Sequence, residues 1–181
     1  MRDLSLHILD IIENSIRAGA SEVRVVIAQD VEADRLAISI EDNGPGLDVP
    51  EHVVFDPFYT TKKGKRIGLG LSLFREAAIQ AGGGLELSRS RLGGLAVEAV
   101  LGLSHVDRPP LGDVAGMVSA VVCTNPDLKL WCTFAVVPRR VTVCVRDVLQ
   151  SLSPGDRAGL AVARAVAERT RQAIATLELL P

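Results

Sequence analysis

Along residues 4–17 the apolar positions recur every three to four residues. Leu4, Ile8, Ile11, Ile12 and Ile16 share one arc with Ser15, while His7, Asp10, Glu13, Asn14 and Arg17 make the other. Asp3 or Ser5 is placed to cap this helix and Gly19 to end it. The period then changes to two. Val23, Val25 and Ile27 alternate with other positions, and so do Leu36, Ile38 and Ile40 after the turn "DVEAD", which predicts two strands joined as a hairpin. "GPG" stops the second strand. Residues 48–67 have no clean period, and connections of that length in compact domains are usually functional or mobile. "GLGLSLFREAAIQAGGG" returns to a helical pattern, entered through Gly68 and Gly70 and closed by Gly82–Gly84. "LELSRS" and "LAVEAVLGL", around an "RLGG" turn, make a second hairpin. This order predicts an α+β fold: a two-layer α/β sandwich with helices on one face of a mixed, mostly antiparallel sheet.

"SHVDRPPLGD" interrupts the pattern with two prolines and divides the chain into residues 1–103 and a small α+β C-terminal extension, 104–181. In the extension "VAGMVSAVVC" fits a helix or a buried strand, "LKLWCTFAVV" and "RVTVCV" form a hairpin, and an Ala-rich helix runs from about Arg157 to Leu179. No motif in this segment assigns it a role. It covers a sheet edge, or it docks a partner or a second copy, with Trp131 and Phe134 as its apolar anchors or simply as core.

Composition narrows the class. Of 181 residues 48% are hydrophobic but only 3% aromatic, so the core is aliphatic. A net charge of −2 gives no broad attraction to nucleic acid or to an anionic membrane. No apolar run approaches the roughly 20 residues of a spanning helix, and the N-terminus lacks a signal-peptide core. Cys123, Cys132 and Cys144 are expected to be buried free thiols. Together these features predict a cytoplasmic protein.

Three stretches carry chemistry. Asp42 has the parity of Leu36, Ile38 and Ile40, so it points inward at the strand end, where a carboxylate needs hydrogen-bond donors. An acceptor-only group there suits an exocyclic amine such as that of adenine and repels the carbonyl of guanine. Equally, Asp-Asn-Gly can form a turn that satisfies its own backbone. Lys62, Lys63, Lys65 and Arg66 read alone as a solvated charge run, but they lead into the helix opened by Gly68 and Gly70, whose first turn is a ready anion site. No P-loop is present, and "GLGLSL" lacks the context of a dinucleotide fold. On the first helix, Asn14 offers a neutral oxygen and Asp10, one turn earlier, a carboxylate, which suits Mg²⁺ held partly by substrate phosphates. Asp10 could orient or deprotonate an attacking group, and Arg17 could reach a phosphate.

These pieces in this order resemble the GHKL superfamily, the ATP-binding fold of gyrase B subunits, Hsp90-type chaperones, histidine kinases and mismatch-repair ATPases. "LDIIENSIRAG" is similar to its N-box, which implies a Mg²⁺ ligand at Asn14, a catalytic carboxylate at Asp10 and a phosphate contact at Arg17. "EDNGPGL" resembles the D-x-G-x-G box, implying adenine recognition by Asp42 with Gly44 and Gly46 at close approach. "FDPFYTTK" resembles the kinase F-box, with Phe55 and Phe58 at the lid base and Thr61 and Lys62 toward the nucleotide. "GLGLSL" resembles the second glycine box, Gly68, Leu69 and Gly70. The resemblance covers residues 4 to about 103.

There are departures. Arg66 stands where a glycine is common, and the lid, Asp56–Ile67, is short. Only a handful of residues precede the N-box, and neither His7, His52 nor His105 lies in a kinase-type H-box. The resemblance therefore implies an ATP·Mg²⁺-dependent protein kinase module of bacterial signal transduction. It would transfer the γ-phosphate to a His or Ser of a separate partner protein. A nucleotide-gated interaction module with little turnover, or a simple ATPase, is the alternative. An ATPase clamp usually recruits a lysine from a following domain; here Lys129 is the sole lysine after Lys65 and lies in the predicted hairpin.

Overall fold

A computed structural model of the chain describes residues 3–47, 69–157 and 159–181. Helix α1 (Leu4–Arg17) starts at Asp3, whose side chain accepts the Leu6 N–H, and stops at Ala18 before Gly19 at φ +95°. Its first N–H groups, which no helix can pair internally, donate to the carbonyls of Pro110 and Leu111, both at 2.9 Å. Strands β1 (Glu22–Asp30) and β2 (Arg35–Asp42) follow, then α2 (Leu69–Gln80), β3 (Gly84–Arg89) and β4 (Leu95–Gly102).

The remaining chain adds α3 (Val114–Thr124), β5 (Lys129–Val136), β6 (Arg139–Cys144), α4 (Val145–Ser151), a 3₁₀ turn (Pro154–Asp156) and α5 (Gly159–Leu177). "VAGMVSAVVC" is thus a helix. Helix α4, which the sequence pattern does not announce, follows β6 with no loop and no side-chain cap.

All six strands form one sheet, in the order β3-β4-β2-β1-β5-β6. Every pairing is antiparallel except β1 with β5, so the sheet is mixed, as expected for this α+β class. Alternation sorts the two faces. Val23, Val25, Ile27, Leu36, Ile38 and Ile40 are buried, and the intervening positions of β1 and β2 are half-buried or exposed. The helices therefore cover one face. On the other, Trp131 is half-buried under the Arg24 guanidinium, 5.3 Å from the ring centre.

The core is one continuous cluster from Leu4 to Leu179. Phe74 and Phe134 are its largest fully buried side chains; Phe134 lies opposite Ile27 on β1 and Val141 on β6. Gln29 is wholly buried on β1, and its amide both donates to the Leu180 carbonyl (2.8 Å) and accepts the Leu180 N–H (2.9 Å). The last residues are thereby fastened to a central strand. All three cysteines are free. Only Cys132 is buried, and burial pushes its thiol up to about 12; Cys144 is half-buried. Cys123 is exposed, contrary to expectation, because it falls on the outer side of α3.

Candidate functional site

Asp42 ends β2 and is 5% exposed. Oδ1 accepts the N–H of Gly44 (2.8 Å) and of Leu95 (3.1 Å). The first of these is the bond of an Asx turn. Oδ2 points the other way and accepts the Ser15 hydroxyl at 2.6 Å, so a buried serine on α1 orients a carboxylate on β2. Asn43 locks the end of β2 to the start of β1: its Oδ1 accepts the N–H groups of Ser21 and Glu22, both at 2.9 Å.

Glycine surrounds this carboxylate for reasons of space. A Cβ on Gly94 would collide with Asp42 Oδ1 and stand 2.6 Å from the Gly44 nitrogen, and one on Gly44 would come within 3.1 Å of Oδ1. Gly46 needs its freedom for another reason, its φ of +80°. Ser15, Leu95 and Gly94 were not legible as site residues. The one signal is the pair Gly93-Gly94: the turn itself requires Gly93, at φ +107°, and leaves Gly94 unexplained.

The second cluster lies along α1. Asn14 Nδ2 is 3.5 Å from Asp10 Oδ2, and Arg17 Nη2 donates to Asn14 Oδ1 at 2.6 Å. The same guanidinium lies 4.0 Å from the carboxylates of both Asp10 and Glu13. Asp10, Asn14 and Arg17 thus form one hydrogen-bonded row, partly open to solvent. Helix α2 runs antiparallel beside it. Gly70 approaches so closely that a Cβ there would land on the Asp10 carboxylate, and one turn further along, Phe74 stacks on His7, ring centres 5.0 Å apart at 17°. Leu69 opens α2. Phe55, Phe58, Thr61, Lys62 and Gly68 lie outside the described residues, as does His52. Lys129 is exposed at the start of β5, beside Glu22.

His7 corrects the reading of α1. Helical angle puts it on the polar arc, yet it is 2% exposed because Phe74 covers that part of the helix. Its Nδ1 is buried with no hydrogen-bond partner among the described residues. Burial lowers its pKa to about 4, with Asp3 opposing. The unfolded chain therefore takes up a proton between about pH 6.5 and 4 that the folded chain refuses. This contribution to stability is present above pH 6.5 and is lost as pH falls toward 4. His7→Phe should retain the stack, stabilise the fold by about 1 kcal/mol through the loss of an unpaired buried nitrogen, raise the melting temperature accordingly, and flatten the profile between those pH values. An unchanged profile would show that another group carries the acid sensitivity.

The model of the "Histidine kinase-, DNA gyrase B-, and HSP90-like ATPase" family matches residues 2–105. The chain belongs to that family. Among curated relatives, the signal transduction histidine-protein kinase AfsQ2 of Streptomyces coelicolor is 34% identical over 122 residues, covering 64% of this chain and 22% of its own length. The sensor histidine kinase CpxA of Escherichia coli K12 is 32% identical over 92 residues, 48% of this chain and 20% of its own. The chain thus spans about a fifth of the length of these two kinases. In structure it is similar to the N-terminal domain of a DNA repair protein, with a TM-score of 0.53 at 14% identity over 92% of this chain and 57% of that one. That likeness is one of fold. This histidine-kinase-like ATPase chain contains, among the described residues, no helix long and apolar enough to cross a membrane.

Proposed function

We propose that residues 1–103 bind Mg²⁺·ATP and that the chain transfers the γ-phosphate to a His or Ser of a separate partner protein. Family membership supports ATP binding. The observation that carries the reading is the Asp42 carboxylate, buried, fixed by three donors and flanked by glycines, with one lone pair of Oδ2 left over. That lone pair accepts the exocyclic amine of adenine, and the absence of a Cβ at Gly44 and Gly94 lets the neighbouring backbone close on the carboxylate and hold it in place.

The α1 row suits the phosphate end. No group of three or more His, Cys, Asp or Glu able to hold a metal exists among the described residues. One amide oxygen beside one carboxylate is the kind of sparse donor set Mg²⁺ uses when phosphates and waters complete its shell. Asn14 would hold the ion, which supplies charge neutralisation on the phosphates. Arg17 turns from Asn14 toward a phosphate oxygen, and Asp10 orients the attacking hydroxyl or imidazole and takes its proton. Leu69 and Gly70 bring the start of α2, the positive end of the helix dipole, to the same place. Phe58, Thr61, Lys62 and Gly68 complete the proposed nucleotide contacts.

A nucleotide-gated module is the second reading, and the α1 row is compatible with both. Asn14 Oδ1 is occupied by Arg17, so binding rearranges this row whether or not phosphate is transferred. Protein incubated with γ-labelled ATP, with and without candidate partners, separates the readings. Label on a partner supports the kinase, free phosphate alone an ATPase, and saturable binding without either the gated module. Gly70→Ala should keep the melting temperature within a few degrees, because only the end of the Asp10 side chain must move. Turnover or transfer should drop roughly a hundredfold. Unaltered turnover would remove Asp10 from the proposed chemistry.

A further inference from the structure

Strand β6 ends the sheet, and β5 is its sole strand partner among the described residues. An edge strand presents a row of unpaired N–H and C=O groups, which proteins usually blunt with charge, proline, a bulge or a covering segment. Here Arg139 and Arg140 guard only the beginning. From Val141 to Cys144 the strand carries no charge and no proline, and its ladder with β5 runs without a bulge from Val136↔Arg139 to Trp131↔Cys144. Beside this stretch lies a groove of about 390 Å³, lined by Thr142 and Val143 of β6, Asp147 of α4, and Glu168 and Arg169 of α5.

The charge order on α5 selects the occupant. Ala165, Glu168, Arg169 and Gln172 make one helical stripe facing the groove, and the last three are exposed. If α5 runs antiparallel to a second α5 about a two-fold axis between residues 168 and 169, Glu168 lies opposite Arg169 of the partner subunit and Ala165 opposite Gln172 of the partner subunit. The same symmetry pairs β6 with itself, placing Val141 against Thr142 of the partner subunit. The two Arg139-Arg140 pairs then sit at opposite ends instead of facing each other. Glu168 already meets Arg171 (3.4 Å) and accepts from Gln172 (3.2 Å) in its own helix, on exposed bonds that a second cation can share or replace, whereas Arg169 has no hydrogen bond or ion pair among the described residues.

We propose that the open edge of β6 and the α5 stripe beside it join two copies of this chain across a two-fold axis, continuing the sheet from one copy into the other. The interface is isologous, each residue meeting its complement. Strand addition supplies main-chain bonds, and the Glu168–Arg169 pairs fix the register. This surface is separate from the nucleotide reading and does not depend on it.

The test is the mass in solution of residues 1–181 by light scattering across a dilution series, with Glu168→Arg, Arg169→Glu and the double exchange. The wild type should show twice the monomer mass at high concentration, and amide exchange across 139–144 should slow as the dimer forms. Each single variant places like charges opposite one another and should weaken association by roughly tenfold or more. The double variant exchanges the two signs and should restore it. Melting temperatures close to wild type show that these surface variants are folded. A monomer mass for the wild type at every concentration overturns the proposal. So does a dimer indifferent to both single changes, or a double variant no better than the singles.

Discussion

Asp42→Asn is expected to abolish nucleotide binding while leaving the fold nearly as stable as before. The reason lies in how the two oxygens are used. Oδ1 accepts two backbone N–H groups, from Gly44 and Leu95, so the asparagine amide must keep its oxygen there. Its NH₂ then takes the place of Oδ2, beside Ser15, whose hydroxyl can turn from donor to acceptor. The buried network survives with every partner satisfied. Toward the ligand, however, an acceptor has become a donor, and the adenine amine meets another N–H. Losing a charge-assisted bond and gaining an unpaired donor together amount to about 3 kcal/mol, on the order of a hundredfold in affinity. In a thermal-shift titration the wild type should be stabilised by Mg²⁺·ATP and not by Mg²⁺·GTP, whereas the variant should respond to neither. A variant that still responds to Mg²⁺·ATP would remove the purine from this end of the sheet.

The second large effect concerns stability. Phe134→Ala is expected to cost about 3–4 kcal/mol and to lower the melting temperature by roughly 6–15 °C. Phe134 is fully buried between Ile27 of β1 and Val141 of β6, at the joint where the hairpin of residues 129–144 meets the central strands. Two more links cross the same joint, the Gln29–Leu180 pair and the bonds from α1 to Pro110 and Leu111. Unfolding should therefore remain a single cooperative transition shifted downward, and the Mg²⁺·ATP response should weaken with it. Two separate calorimetric transitions, only the second of them moved by the substitution, would show instead that residues 104–181 unfold on their own.

Much of the candidate site was legible before any coordinates. Asp10, Asn14 and Arg17 are spaced four and three residues apart, so any helix there aligns them, and they do form a hydrogen-bonded row. The parity of Asp42 with Leu36, Ile38 and Ile40 directs its carboxylate inward for any strand that buries those three. Of the donors to Asp42 only Gly44 was legible, through the Asx turn; the other groups around the carboxylate were not. Ser15 reads as a small residue on an apolar arc, and Leu95 contributes a backbone N–H that no side chain advertises. Gly94 hides behind a neighbour whose turn accounts for a glycine. Each meets Asp42 across 27 to 53 residues of chain.

Local periodicity determined which residues share a face: the elements it predicts exist, the hairpin of residues 129–144 among them, because main-chain geometry repeats every 3.6 or two residues wherever it is placed. What a face meets was decided by packing alone. His7 stands on the polar arc of α1 and is nonetheless buried, since α2 crosses at that turn and lays Phe74 against it. Likewise β5 lies parallel to β1, although both hairpins read alike in sequence. Alternation says which side of a strand is apolar, but the neighbour is chosen by contacts between segments a hundred residues apart.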